Sequence, residues 1–245
     1  MRSYAIGDIH GQTDLLRAAH ARIARDRAEV GDAEAPVVHV GDLVDRGPDS
    51  AGVIALLVEG IAAGAPWVVL KGNHDRMFAG FLERADFQDP MLRPDYTWRH
   101  PRVGGLETLT SYGVAKPGRR QVAKVHAETR AKVPDAHRAF LAGLPTHLHR
   151  GEVFFVHAGI RPGVPLAAQV EDDMTWIRGR FLDDLRDHGA LIVHGHTPVE
   201  RATHYGNRLN IDSGAAYGGP LSAVVIEGRE VWELTDSGRV RLPPY

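Results

Sequence analysis

Short clusters of Asp, Asn and His side chains recur along the chain, each directly after an apolar run. There are five of them: GDIHG (7–11), GDLVDRG (41–47), GNHD (72–75), HAGIRP (157–162) and HGHTP (194–198). A single Gly-Asp pair after a strand is often only a turn with a capping carboxylate, so one such motif is weak. Five of them at successive strand ends favour a common site over five unrelated turns.

The side chains in these motifs include carboxylates, imidazoles and one amide, Asn73, and the chain has no cysteine. Such oxygen and nitrogen donors suit Mn, Fe, Zn or Co rather than copper or an iron–sulfur cluster. Asp8 and His10 are two residues apart, so in an extended chain both point to the same side, as two ligands of one metal would. Two metals about 3.5–4 Å apart, bridged by one carboxylate, form the clamp used in phosphoester hydrolysis.

Strands alternate with helices in the first third of the chain. The apolar runs that predict strands cover 3–6, 36–40, 67–70, 152–156 and 190–193, and helix-like segments cover 13–27 and 50–63. This alternation predicts an α/β fold with a mostly parallel sheet. Ligands of such sheets bind beyond the carboxyl ends of the strands, which is where the five motifs stand.

Two further regions differ from this pattern. Residues 76–150 contain helix-like segments joined by loops with Pro and Gly, and we predict a helical insertion or cap over one edge of the sheet. Residues from 203 onward predict turns and short strands, with YGN (205–207) as a hairpin turn. A chain of 245 residues suits one domain that contains such an insertion.

Composition excludes several kinds of protein. The absence of cysteine rules out a disulfide scaffold, a thiolate zinc site and a cysteine nucleophile. A formal net charge of −2 gives neither the broad basic surface expected for nucleic-acid binding nor an acidic tail. Residues 1–12 have no apolar signal-peptide core, and the apolar stretch 52–70 is broken by Glu59 and by GAP (64–66). We therefore expect a cytoplasmic protein without a membrane or nucleic-acid partner.

Taken together, the motifs GDIHG, GDLVDRGPDS, GNHD, HAG and GHT resemble those of the calcineurin-like metallophosphoesterase superfamily. Within it they resemble the phosphoprotein phosphatase family, in its bacterial serine/threonine phosphatase branch. The resemblance runs from Gly7 to about Gly214, and residues 76–150 carry little of it. It implies an α/β metallophosphoesterase β-sandwich of two mixed sheets, flanked by helices and carrying the helical insertion.

The resemblance also implies a dinuclear metal centre, most simply with manganese. Asp8 and His10 would bind the first metal, and Asp42 would bridge both. Three further residues would complete the second metal: Asn73, His157 and His196. A water or hydroxide that bridges the ions would be the nucleophile. The neutral amide of Asn73 would leave the site with a net positive charge that attracts a phosphate dianion.

The same resemblance gives roles in catalysis and phosphate binding. His74 would protonate the leaving alkoxide, and Asp45 would orient it; histidine suits this task because it titrates near neutral pH. Arg46 would hold the phosphoryl oxygens, together with Arg178, which follows an aromatic residue. Arg161 is a further phosphate-binding candidate, although a surface or structural arginine is an equally good interpretation.

Several neighbouring residues have simpler interpretations. Asp75 precedes a helix-like run, so we predict a first-turn or capping carboxylate. His194 matches no ligand and is assigned to packing, while Pro198 cannot ligate, which agrees with a final motif that uses one histidine. Tyr217 in NIDSGAAYGG (210–219) is equally compatible with a contact to substrate and with packing.

The sequence leaves three functions open. The first is a serine/threonine protein phosphatase that acts on phosphorylated proteins or small phosphoesters, as a monomer or small homo-oligomer. The alternative is a dinucleoside polyphosphate hydrolase, although the symmetrical enzymes of that type tend to differ at DRG (45–47). A non-catalytic metal-binding module would be expected to have lost a ligand, His74 or Asp45, and all are present.

Overall fold

Two mixed β-sheets form the centre of the computed structural model, which describes residues 1–245. The strands, in chain order, are β1 (Arg2–Ile6), β2 (Val37–His39), β3 (Trp67–Val69), β4 (His147–Arg150), β5 (Val153–Val156), β6 (Leu191–His194), β7 (Thr203–His204), β8 (Arg208–Asn210), β9 (Ala223–Glu227), β10 (Glu230–Thr235) and β11 (Gly238–Arg241). The six-stranded sheet has the order β11-β10-β9-β1-β2-β3, and the five-stranded sheet has the order β4-β5-β6-β8-β7.

Each sheet combines a parallel part with antiparallel strands at its edges. Strands β1, β2 and β3 are parallel, whereas β9, β10 and β11 pair antiparallel. In the second sheet β5, β6 and β8 are parallel, with β4 and β7 added antiparallel. The predicted mostly parallel sheet is therefore corrected to two mixed sheets, which is the metallophosphoesterase sandwich that the resemblance implied.

Eight α-helices cover the sheets. They are α1 (Thr13–Val30), α2 (Ser50–Ala62), α3 (Asn73–Glu83), α4 (Gly105–Ser111), α5 (Val122–Lys132), α6 (Asp135–Ala142), α7 (Glu171–Trp176) and α8 (Gly179–Leu182). The predicted helices at 13–27 and 50–63 are confirmed as α1 and α2. The predicted insertion contains most of α3 and all of α4 to α6, but its last residues form β4 and belong to a sheet.

The apolar core has three parts because both faces of the central strands are buried. Strand β1 shows this: Tyr4 and Ile6 pack beneath the helices of the first sheet, while Ala5 points to the space between the sheets. There it meets side chains such as Phe155 and Val193 of the second sheet. A third cluster lies between the second sheet and helices α7 and α8. None of the helices is both long and apolar enough to cross a lipid bilayer.

Candidate active site

The predicted ligands come together at the carboxyl ends of five strands. They lie just beyond β1, β2, β3, β5 and β6, which all belong to the parallel parts of the two sheets, and Asn73 begins helix α3. The six side chains are all buried: Asp8, His10, Asp42, Asn73, His157 and His196. Parallel strands end at one edge of their sheet, so the fold places residues from five distant segments in one spot.

Asp42 lies between two groups of donor atoms. Its Oδ2 is 3.5 Å from Nε2 of His10, and its Oδ1 is 3.3 Å from Nε2 of His157. Two clusters of possible ligands therefore share this carboxylate: His10, Asp42 and His74, and Asp42, His157 and His196. Within each cluster the candidate atoms lie within 4.8 Å of one another. This is the arrangement expected of a carboxylate that bridges two metals.

The histidine rings turn lone pairs towards this centre. Nδ1 of His157 donates to the carbonyl of Val40 at 3.0 Å, so its Nε2 carries no proton in the neutral ring. That Nε2 lies 3.0 Å from Oδ1 of Asn73, and both atoms are acceptors with no hydrogen between them. His10 follows the same pattern, because its Nδ1 donates to the carbonyl of Val44 at 2.8 Å. Converging acceptors of this kind fit a cation.

Two buried acceptors in the site have no hydrogen-bond partner. They are Oδ1 of Asp8 and Nε2 of His196, although Oδ2 of Asp8 accepts the backbone N–H of His196 at 2.9 Å. A Cβ at Gly195 would lie 1.8 Å from Oδ1 of Asp8, so only glycine lets that carboxylate approach. Buried groups left unsatisfied are costly, which again indicates a missing positive partner.

The charges of the buried side chains agree with metal binding. Burial raises the pKa of Asp8 well above its ordinary value, and the negative charges of Asp212 and Asp42 add to this. Burial alone would also raise the pKa of Asp42, but the surrounding histidines, His157 first, lower its pKa below its ordinary value under acid conditions in which they are protonated. Burial lowers the pKa of His10 and keeps the ring neutral, as a metal ligand must be. The residues present therefore fit two divalent cations.

The backbone is strained where it presents these side chains. Only six residues other than glycine have positive φ, and five lie in the site: His10 (46°), Asp42 (49°), Asp45 (73°), Arg46 (66°) and His196 (67°). Left-handed conformations of this kind cost on the order of 1–3 kcal/mol each and concentrate at functional sites. The loops thus turn sharply after their strands and direct the side chains into one centre.

His74 and Asp45 form a buried ion-pair-type contact beside the metal ligands. Nδ1 of His74 lies 2.7 Å from Oδ2 of Asp45. The indole N–H of Trp98 donates to the same oxygen at 2.8 Å, and the hydroxyl of Thr108 donates to Oδ1 at 2.7 Å. Sequence reasoning missed Trp98 and Thr108, because a lone Trp and a lone Thr in the insertion belong to no motif and show no ligand spacing.

Two of the three predicted phosphate-binding arginines reach the site. The guanidinium of Arg46 donates to Nε2 of His10 at 2.7 Å and to Nε2 of His74 at 2.9 Å. Arg178 donates to the hydroxyl of Thr197 at 3.0 Å and lines the same cavity. Neither guanidinium is paired with a carboxylate, so both keep their charge available for an anion.

Arg161 is the exception among the predicted arginines. Its Nε and Nη2 bind both oxygens of Asp173, at 2.7 and 2.8 Å, and it does not line the cavity. We therefore withdraw its phosphate-binding role, since its guanidinium is already occupied by a bidentate carboxylate. The competing interpretation, a structural arginine, is the one that the geometry supports.

Asp75 and His194 have structural contacts. Asp75 accepts the N–H of Gly72 at 2.9 Å and so caps α3, but its second oxygen also accepts the N–H of Leu43 at 2.9 Å. It therefore joins two of the ligand-bearing loops as well as capping a helix. His194 is buried and lies edge-on to Phe181 with 5.0 Å between ring centroids, in line with the predicted packing role.

A cavity of about 250 Å³ opens from the metal-ligand centre towards solvent. Its inner end is lined by Asp42, Asn73, His74 and His196, with Arg46 and Arg178 beside them. Trp176 lies near His196 and Tyr217 lies over Arg46. The outer part of the cavity is lined by exposed or half-buried residues that the sequence did not single out: Met91, Leu92, Arg93, Tyr96 and Arg102. The segment between α3 and α4 supplies most of this outer part.

Comparison with known proteins identifies the family. The profile of calcineurin-like phosphoesterases matches residues 1–225. The chain belongs to the calcineurin-like phosphoesterase family. The resemblance inferred from the motifs is thus confirmed, and the chain is a metal-dependent phosphoesterase.

Relatives within the family differ in their named activity. A bis(5'-nucleosyl)-tetraphosphatase PrpE [asymmetrical] of Anoxybacillus flavithermus is 26% identical over 240 residues, covering 89% of this chain and 88% of the relative. Serine/threonine-protein phosphatase 1 of Salmonella typhimurium is 28% identical over 233 residues, covering 91% of both chains. The cold-active protein-tyrosine phosphatase of a psychrophilic Shewanella matches in structure with a TM-score of 0.62 at 19% identity, covering 99% of this chain and 80% of that one, and shows the shared fold.

Proposed function

We propose that this chain is a dinuclear-metal phosphoesterase that hydrolyses dinucleoside polyphosphates. The observation that carries the proposal is a single cavity whose lining joins the metal-ligand centre, three arginines without carboxylate partners and an exposed tyrosine. The relatives named as asymmetrical bis(5'-nucleosyl)-tetraphosphatases support it, since several of them match at least three quarters of the chain. This reverses the order of preference that the sequence alone suggested.

The metal ligands are assigned as the motifs imply. Asp8 and His10 would hold one cation, and Asn73, His157 and His196 the other, with Asp42 shared between them. When bound, two such cations supply Lewis-acid polarisation of the phosphoryl group and a water of lowered pKa. Manganese is our first choice, and Fe, Zn or Co fit the same donors.

The chain's own residues bind the reacting phosphate and handle the proton. Arg46 and Arg178 would bind the oxygens of the phosphoryl group under attack and stabilise the charge that develops on them. Nε2 of His74 accepts from Arg46 in this structure, and it would carry the proton for the leaving oxygen once Arg46 has turned to the phosphoryl group. Asp45 accepts from Nδ1 at 2.7 Å and fixes the orientation of the ring.

The outer cavity suits a longer substrate than a phosphomonoester. A monoester needs only the inner arginines, whereas Arg102 on the solvent side makes no salt bridge and contacts only the hydroxyl of Tyr96, at 3.2 Å. A further cation in the exposed part of the same cavity suits the additional phosphates of a polyphosphate chain. Tyr217 is 67% exposed, with its ring over the Arg46 guanidinium at 5.4 Å, and could stack on a nucleobase.

The test compares three substrates with Mn²⁺ present: diadenosine tetraphosphate, an aryl phosphate and a phosphoserine peptide. We expect the highest kcat/KM on the tetraphosphate, with nucleoside triphosphate and monophosphate as products of an asymmetrical cut. Arg102→Gln should lower that value about 10-fold or more and change the aryl phosphate rate little. Arg84→Gln, an exposed arginine outside the cavity, is the control. A higher kcat/KM on the phosphopeptide would overturn the proposal.

A phosphoprotein phosphatase is the second candidate, favoured by the His74–Asp45 contact. A nucleotide leaves readily as a stable phosphate anion, but a serine or threonine alkoxide needs a proton as it leaves. An intact proton donor is therefore worth most for a phosphoprotein substrate. The kinship to serine/threonine-protein phosphatase 1 points the same way. The same three-substrate comparison decides between the two.

A further inference from the structure

The carboxylate of Asp45 is enclosed by hydrogen-bond donors. The side chain is fully buried and accepts three bonds: from Nδ1 of His74 at 2.7 Å, the indole of Trp98 at 2.8 Å and the hydroxyl of Thr108 at 2.7 Å. Each oxygen has at least one donor, and Oδ2 has two. A carboxylate held in this way cannot rotate without breaking a buried hydrogen bond.

The directions of the hydrogen bonds around Thr108 follow from counting protons. Its hydroxyl has one hydrogen, which goes to Asp45, so it must accept from the hydroxyl of Ser50 at 2.9 Å. It also accepts the backbone N–H of Asp45 at 2.8 Å. Thr108 therefore binds both the carboxylate and the backbone of Asp45, and Ser50 shares the same backbone N–H at 3.1 Å.

The backbone of the same turn is held by a neighbouring residue. Asp45 and Arg46 both have positive φ, and the N–H of Arg46 donates to the carbonyl of Gly104 at 3.2 Å. The segment 98–108 thus contacts the strained turn at three places, through Trp98, Gly104 and Thr108. This segment lies in the helical insertion, far in sequence from every metal ligand.

We propose that Trp98 and Thr108 are positioning residues for the proton donor. They hold the Asp45 carboxylate, Asp45 holds the ring of His74 through Nδ1, and Nε2 of His74 is thereby aimed at the leaving oxygen. The inference rests on the role of His74 in the proposed function. It assigns to the insertion a part in catalysis that neither the motifs nor the family profile indicates.

The step itself makes the inference testable. As the oxygen of an attacking water bonds to phosphorus, the bond from phosphorus to the leaving oxygen breaks; its electron pair stays on the leaving oxygen, and Nε2 of His74 gives that oxygen its proton. The ring becomes neutral and Asp45 stays ionised. An alkoxide leaves poorly without this proton, whereas an aryl oxide leaves well without it. A misdirected proton donor therefore slows alkyl phosphates more than aryl phosphates.

The experiment measures kcat on an alkyl and an aryl phosphate for Trp98→Phe and Thr108→Val. We expect the alkyl rate to fall about 10-fold or more and the aryl rate to fall less than about 3-fold. Thr108→Ser keeps the hydroxyl and should restore most of the alkyl rate. In the metal-free protein, the Nδ1 proton of His74 should exchange with solvent faster in Trp98→Phe and Thr108→Val than in the unchanged protein, as measured by NMR.

Two matched variants control for general damage. Thr129→Val removes a buried hydroxyl in α5 that bonds only the carbonyl of Val125, and Trp232→Phe changes a tryptophan on β10. Both should leave the alkyl-to-aryl ratio unchanged. Melting temperature and metal content, measured on every variant, identify any that misfold.

The outcomes separate the inference from the proposed function. If His74→Asn leaves the alkyl-to-aryl ratio unchanged, the proton-donor role in the proposed function is wrong. If His74→Asn lowers the ratio but folded Trp98→Phe and Thr108→Val variants keep it, the positioning inference is overturned. A parallel fall in both rates for Trp98→Phe and Thr108→Val would also overturn it.

Discussion

The metal-ligand centre and the segment 98–108 are built in opposite ways, although they meet at one turn. The centre uses charged, imidazole and amide side chains at strand ends, and some of its buried acceptors face one another with no donor between them or have no partner at all. The segment 98–108 uses neutral groups, an indole, a hydroxyl and a carbonyl, and every one of these groups that contacts the turn is satisfied. The first is arranged to bind cations, and the second to hold other residues still.

This difference predicts two kinds of mutational effect. Changes in the centre should remove metal and rate together, since the ligands are the source of both. Changes in the segment should leave metal content intact and alter the rate according to the substrate. The following experiments test that division, beginning with the largest expected effect.

Asp42→Asn should abolish activity and metal binding. Asp42 faces both groups of ligands, so loss of its charge should weaken metal binding at both sites. The loss of metal affinity should exceed the roughly 10- to 100-fold typical of residues that only support a ligand. Metal content by mass spectrometry and rate on an aryl phosphate check this. Two tightly bound ions per chain in the variant would show that Asp42 does not bridge.

His74→Asn should lower kcat by ~10²–10⁴-fold on an alkyl phosphate. His74 is next to the ligand Asn73 in sequence, but in the proposed mechanism it donates a proton and binds no metal. The metal content of the variant should therefore stay near that of the unchanged protein. Its backbone N–H donates to Oδ1 of Asp42 at 3.0 Å, and this bond survives the change. Loss of both metals would move His74 into the ligand group and break the division.

Gly104→Ala should lower both stability and kcat. An added Cβ would lie 2.5 Å from the nitrogen of Arg46, and the residue has a φ of +98°. We expect a loss of about 1–3 kcal/mol in unfolding free energy, measured by denaturant titration. Gly64→Ala is the matched control, because Gly64 has a φ of +87° and nothing within 4 Å. An equal loss of kcat in both variants would mean that contact with Arg46 is unimportant.

The free energy of unfolding should also decrease as the pH is lowered, because of a pair of histidines that lies outside both regions. His20 and His39 share a hydrogen bond of 2.9 Å between their Nε2 atoms, and burial lowers the pKa of His39 to about 3 and that of His20 to about 4. The unfolded chain binds protons below about pH 6.5 while the folded pair stays neutral, so acid favours unfolding.

For His39 alone, the loss of unfolding free energy between pH 6.5 and pH 5 is about 2 kcal/mol. His39→Gln should therefore show a flatter dependence of unfolding free energy on pH over this range, measured on metal-free protein. The same slope in the variant and the unchanged protein would exclude His39 as the source.

The two regions also differ in how far the sequence predicted them. The metal ligands stand just after strands, four of the six directly after a glycine, and few side-chain types bind metals, so Asp8, Asn73 and His157 could be picked out from residue type and position. The structure brings them together, and their binding of metal remains a prediction. Trp98 and Thr108 could not be found in this way, because their role depends on how the insertion packs against the turn.

Two other differences have similar causes. Arg161 looked available because its partner Asp173 lies twelve positions later, and no spacing rule links the two. The sheets were expected to be mostly parallel because the first strands alternate with helices. The antiparallel strands come largely from the C-terminal third, where strand direction depends on hairpins that a short apolar run does not reveal.

The left-handed residues of the site also set a limit on adaptation to heat. Five of the six such residues other than glycine hold the reactive side chains, so the easiest gains in thermal stability lie where substitution would destroy activity. Lys116 (φ 48°) is the sixth, and it lies in a loop away from the site. A heat-adapted descendant of this chain would thus be expected to relax position 116 and to gain the rest of its stability in the core and the helices, while the site stayed strained.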